Sequence, residues 1–163
     1  MKFLRADGGQ FELEMNPGEH GTLLHLLKLY PLVPESYHRL TKDKKLPHRE
    51  ENQRLLDDAL RSQREQNKKE IFALLNAPAR FQKISGGGKV TFTRAELEWL
   101  LQIVNDVRVG SWIAMGSPGH ATEQKIQRNV RTMPHLMFME LAGAFEMFFL
   151  GVINGSLRPG DEE

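Results

Sequence analysis

The sequence predicts a mainly α protein of α+β type, a helical bundle around two apolar helices with a small N-terminal antiparallel hairpin or three-stranded sheet. Three observations predict it. Capping boxes open helical stretches at Asn16 and Thr93, residues 133–153 are apolar almost throughout, and strand-like alternation is confined to short pieces near residues 3–15 and 90–92.

Each element follows in order. Phe3–Ala6 and Phe11–Met15 alternate apolar and polar residues on either side of Asp7-Gly8-Gly9, the composition of a tight hairpin turn. Asn16-Pro17-Gly18-Glu19 then supplies an N-cap, a proline at the first helical position and the glutamate of a capping box. The leucine-rich helix that starts there must stop near Tyr30, because Pro31 disfavours helical backbone in its predecessor. Residues 31–47 hold three prolines and no period, which predicts a wrapping loop with a short helical turn around Tyr37. From His48 to Ala77 the chain is dense in helix formers, with Leu56, Leu60, Ile71 and Leu74 on one line that Gln63 and Asn67 interrupt. The middle of that helix therefore either projects beyond the core or meets polar partners inside it.

Gly86-Gly87-Gly88 before Val90-Thr91-Phe92 predicts a turn and a third strand. Thr93 and Glu96 form the second capping box, and the helix from Arg94 to about Met115 is apolar around most of its circumference, the mark of a central element. Gly116-Ser117-Pro118-Gly119 breaks it. A polar connector over 120–132 leads to the apolar helix ending at Ile153, and residues 155–163 are expected to be a disordered tail. One domain, residues 1–154, accounts for the pattern.

Composition excludes whole classes of function. Among 163 residues, 22 lysines and arginines balance 21 acids, so no global field draws the chain to nucleic acid or an anionic membrane. The absence of cysteine removes disulfides, thiolate nucleophiles and zinc ribbons. The opening residues Met1 to Asp7 reach a charged turn before a signal-peptide core could form, so a cytoplasmic location is expected. The apolar helix carries Glu140 and Glu146, each costly at a bilayer centre, and reads as a buried helix rather than a membrane span.

Few residues carry chemistry. On a helical projection Arg108 falls among Leu97, Leu100, Leu101, Val104 and Met115, whereas Gln102, Asn105 and Asp106 lie largely on the other side. A guanidinium cannot be neutralised there, so it requires a carboxylate or several carbonyls, or else a stem that packs while the head reaches water. Glu140 and Glu146 are the acids of the last helix. Six residues apart, they point roughly 120° from one another and cannot form an acid–base couple within that helix. The expected arrangement is a polar hub in which Arg108 pairs with Glu140 or Glu146, supported by Asn105 or Asp106. His20 with His25, and His135 with Glu140, are spaced five apart rather than three or four, so no metal motif emerges and no cofactor is expected. Arg61, Arg64, Lys68 and Lys69 alternate with Glu65 and Glu70, the pattern of a solvated helix face. Met133, Met137, Met139 and Met147 sit among phenylalanines in or beside the last helix, an adaptable surface suited to a protein partner or to self-association.

The stretch Thr-Arg-Ala-Glu-Leu-Glu-Trp-Leu-Leu-Gln-Ile-Val-Asn-Asp-Val-Arg-Val-Gly, residues 93–110, resembles the uncharacterised bacterial family called domain of unknown function 2017. The matching positions are Glu98, Trp99, Leu100, Asn105, Asp106 and Arg108, while Val104 stands where the family has leucine. The resemblance implies an architecture rather than a mechanism. Genes of that family often lie beside that of the adaptor feeding substrates to the Clp protease, which implies a regulatory role. Three functions are therefore weighed. The first is a non-enzymatic cytoplasmic interaction or regulatory protein working through a helical surface. The second is a small enzyme or anion-binding protein centred on Arg108, and the third a nucleic-acid binder using residues 61–69 and 125–131.

Overall fold

The computed structural model describes residues 1–39, 47–77, 80–117 and 130–161. In chain order the elements are β1 (Lys2–Asp7), β2 (Gln10–Met15), α1 (Pro17–Leu29), α2 (Arg49–Leu75), β3 (Phe81–Ile84), β4 (Gly87–Thr93), α3 (Arg94–Ala114) and α4 (Met133–Asn154), with a 3-10 turn at Glu35–Tyr37. The fold is mainly α with an α+β layout.

The sheet has four strands rather than two or three, in the antiparallel order β1-β2-β4-β3. Gly8 and Gly9 take positive φ of 55° and 80° in the first turn, a region that side-chain-bearing residues rarely adopt. Leu13 of β2 pairs with Phe3 on one side and Val90 on the other, so both neighbours present apolar side chains to the same face. The additional strand, β3, pairs Phe81 with Val90 and Ile84 with Gly87. Three of its four residues are exposed, and an edge strand with so little burial leaves no apolar alternation to read.

Both capping boxes form. The Asn16 and Thr93 side chains accept from the amides of Glu19 and Glu96, and those glutamates accept in return from the cap amides at 2.8 Å. α1 ends at Tyr30, where the peptide to Pro31 is cis.

α3 is the axis of the core. Leu97, Leu100, Ile103, Val104 and Val107 are fully enclosed, meeting Phe145, Phe148, Phe149 and Val152 of α4, Leu23, Leu26 and Leu27 of α1, and Phe3, Leu13, Met15, Val90 and Phe92 of the sheet. Burying five such side chains contributes roughly 10 kcal/mol before entropy is charged against it. α2 adds only its C-terminal part, through Ile71 and Leu74.

Residues 155–161 differ from the expected disorder, and residues 162–163 of that expectation lie outside the described residues. Gly155 ends α4 at φ 76°, Leu157 packs onto Gly151, and the chain then lies along β1. Gly160 donates to the Phe3 carbonyl at 2.7 Å, and Phe3 donates to the Asp161 carbonyl at 3.2 Å. An unpaired strand edge offers backbone partners that composition alone does not reveal.

Candidate functional site

Of the five residues expected to form a polar hub, Arg108 and Glu146 pair, and Asn105, Asp106 and Glu140 do not join them. Arg108 is not enclosed: the buried arc of α3 runs through Leu97, Leu100, Ile103, Val104, Val107, Gly110 and Ser111, and Arg108 lies about 90° from its centre. Its side chain is 47% exposed, and Nη1 stands 3.2 Å from Oε2 of Glu146, whose side chain is 12% exposed. Glu140 is exposed on the outer face of α4, and Asn105 is exposed on α3. Burial pushes the Glu146 carboxyl above its ordinary pKa, opposed by the nearby Arg108 charge, and its other oxygen, Oε1, has no hydrogen-bond partner among the described residues.

Asp106 serves a different purpose. Its Oδ1 accepts from the amides of Leu32 at 2.6 Å and Val33 at 3.3 Å, tying the segment after α1 onto α3. Burial raises its pKa and these two amide hydrogen bonds work against that rise. A signal for this was present in Pro31-Leu32-Val33-Pro34, where two amides caught between prolines have no ladder to join and need an acceptor.

The same segment is held from α2. Arg64 donates to the Val33 carbonyl at 2.8 Å and pairs with Glu35 at 3.4 Å. Asn67, buried on α2, donates to the Tyr30 hydroxyl at 2.8 Å and accepts from Gln63 at 3.0 Å and from the Trp99 indole at 3.2 Å. The two polar interruptions of the α2 line thus divide the work, Gln63 at the surface and Asn67 inside. Of the basic stretch, Arg61 pairs with Asp58 at 3.3 Å and Lys68 with Glu65 at 3.0 Å within the helix, whereas Arg64 reaches out of it. Residues 125–129 of the other basic segment lie outside the described residues.

The outer face of α4 carries the largest apolar feature. Met133, Met137, Leu141, Met147 and Leu150 are all exposed, from 37% for Leu141 to 65% for Met147. Met133, Met137, Glu140, Ala144 and Met147 follow a four-three-four-three spacing, the seam of a heptad. An apolar groove of about 360 Å³ runs beside that seam, with Leu141, Ala144, Phe145 and Met147 on one side and Thr22 and Glu19 of α1 with Met1 on the other. By length and composition α4 could also cross a membrane, being 22 residues long with a mean hydropathy of 1.8 over the window tested.

Other recesses are smaller or more polar. Arg108, Val109, Trp112 and Met139 line one of about 390 Å³, and a larger one of about 560 Å³ mixes Arg39, Arg49, Arg54 and Arg61 with Glu35, Glu50 and Asp57. His20 stacks on Phe81 with ring centroids 4.1 Å apart, and burial lowers its pKa. His25 and His135 each face Phe138. Among the described residues no three histidine, aspartate or glutamate side chains gather where they could hold a metal ion.

No protein-family model, curated protein or solved structure matches the chain.

Proposed function

We propose that the chain is a non-enzymatic cytoplasmic interaction protein that engages another protein surface through the outer face of α4. One observation carries the reading: Met133, Met137 and Met147 stand exposed along one stripe of α4, with exposed Leu141 and Leu150 on its two flanks, on a helix whose opposite face is core. Contiguous exposed apolar surface of this kind marks contact with a partner, and the methionines adapt to its shape. Glu140, in the middle of the row, favours a protein partner over lipid, because a carboxylate facing acyl chains is costly. A regulatory role, implied by the resemblance of residues 93–110 to the domain of unknown function 2017 family, belongs to the same proposal.

A photo-activatable residue at Met137 or Met147 tests it in native cells. Covalent adducts with protein at these positions, and none from exposed Gln66 on α2, are the expected result. Adducts with lipid, or none at either α4 position, overturn the reading.

A second reading rests on Arg108. Its guanidinium is half exposed at a recess with Trp112 and Met139, which could receive a small anion. Saturable binding of a carboxylate or phosphate compound, lost in Arg108→Met, would favour it. The Glu146 carboxylate already answers that charge, so the α4 face is the stronger basis.

A further inference from the structure

We propose that residues 155–161 form a strap that competes with the partner for the α4 surface, holding a seat at Gly151 until a leucine-bearing segment of the partner displaces it. The inference rests on the reading of α4 as an interaction surface, and adds the chemistry of the partner and a brake on its binding.

The exposed stripe does not end at Met147. At 100° per residue Gly151 stands within about 40° of Met133, Met137, Ala144 and Met147, so the same seam runs over it. Gly151 is nevertheless buried, and Leu157 buries it. Only the missing side chain makes room, because a β-carbon at Gly151 would stand 2.8 Å from Cδ1 and Cγ of Leu157. An aliphatic side chain of the chain itself thus covers this turn of the stripe.

The cover is held at two points. The Leu157 N–H donates to the Gly151 carbonyl at 3.0 Å, and after a turn in which the Asp161 N–H donates to the Arg158 carbonyl at 3.0 Å the backbone docks on Phe3 of β1, an outer strand of the sheet. The strap residues other than Leu157 are exposed, so Leu157 alone packs against the core. A segment anchored by one side chain and a few main-chain bonds opens far more readily than the core.

The seat and the groove beside the seam adjoin. Met1, two residues before Phe3, lines the groove together with Met147 and Ala144, one and two turns before Gly151. A partner segment on the seat therefore reaches the groove as well. Its chemistry is that of the strap, an aliphatic side chain over Gly151 and main-chain groups for the Phe3 N–H and carbonyl. Being tethered to α4, the strap competes at an effective concentration of about 1 mM, and the apparent affinity for the partner falls with the fraction of open seats.

The probe is a labelled peptide with the sequence of residues 155–161, titrated up to millimolar concentration against the full chain. Leu157→Ser empties the seat and should bind it at least tenfold more tightly than the parent. Gly160→Pro removes the donor to Phe3 at a φ of 99° that proline cannot adopt, and should also tighten binding with Leu157 intact; it decides alone if Leu157→Ser fails to fold. Adding Gly151→Leu to either variant refills the seat and should abolish the gain, which a general loosening of the fold would not. Binding no tighter in the released variants than in the parent, or a gain that survives Gly151→Leu, overturns the proposal. Photo-adducts at Met147 separate it from the reading beneath it. Protein adducts of equal yield in Leu157→Ser and the parent would overturn the strap and leave α4 an interaction surface, whereas lipid adducts would overturn both.

Discussion

The guanidinium of Arg108 and the carboxylate of Glu146 lie 3.2 Å apart on α3 and α4, one about half exposed and the other nearly enclosed. The enclosed partner bears the desolvation and the exposed one is screened by water, so removing either has unequal consequences.

Arg108→Ala should cost about 1–2 kcal/mol at neutral pH, less than the ~3–5 kcal/mol of a fully enclosed pair, because water already screens the guanidinium. Glu146→Gln should cost less than Arg108→Ala, since it removes a buried charge along with its partner's need for one. Urea denaturation of the two variants against the parent measures the order.

The contribution of Glu146 to stability should fall as pH rises through its titration, against the opposite trend of Glu12 and Glu96, whose pKa values are lowered. The folded pKa of Glu146 lies above the ordinary glutamate value, so the folded state holds the proton more tightly than the unfolded chain. Its favourable contribution is present below the unfolded value and lost as pH climbs to the raised one. Melting temperatures across that window should show a shallower decline in Glu146→Gln, and a steeper one in Arg108→Ala.

Asp106→Ala should free the amides of Leu32 and Val33 and cost about 2 kcal/mol through two donors left without an acceptor. Hydrogen exchange read at those two amides should accelerate well before the α3 core amides do. Unchanged protection at both positions would refute the assigned role.

Gly110→Ala should destabilise by about 1–3 kcal/mol, because a β-carbon there would stand 2.6 Å from the Leu32 backbone carbon, which cannot step aside. Gly151→Ala meets side chains rather than backbone, Leu157 Cδ1 and Cγ at 2.8 Å and Ser156 Oγ at 3.5 Å, and should cost less, its effect appearing as faster exchange of the Gly160 amide.

What could be read from the residues was local. Asn16 with Glu19, Thr93 with Glu96, and Asp7-Gly8-Gly9 each fix a boundary within a few residues, and the structure keeps all three. What could not be read depended on chain segments meeting from afar. β3 pairs along an edge with almost no burial, and the tail takes its order from the backbone of Phe3. For Arg108 the angular reading was misled by Leu101 and Met115, which sit at the border of the buried arc; with Ile103 and Val107 as its centre the arginine falls at the rim. Asp106 was legible as a polar residue opposite the leucines, but its partners come from more than 70 positions earlier.

The attachment of α2 has a thermal consequence. Among the described residues this helix, about 40 Å long, meets the body through the apolar Ile71, Leu74 and Leu75 and through polar contacts of Gln53, Arg64 and Asn67. Exposure of polar surface lowers the heat capacity where exposure of apolar surface raises it, so the two partly cancel. Detachment of α2 should therefore take place with a small heat-capacity increment and a low denaturant slope, as a partial opening beneath the main transition. A calorimetric trace would carry it as a broad, shallow shoulder ahead of the cooperative peak of the α3–α4 core.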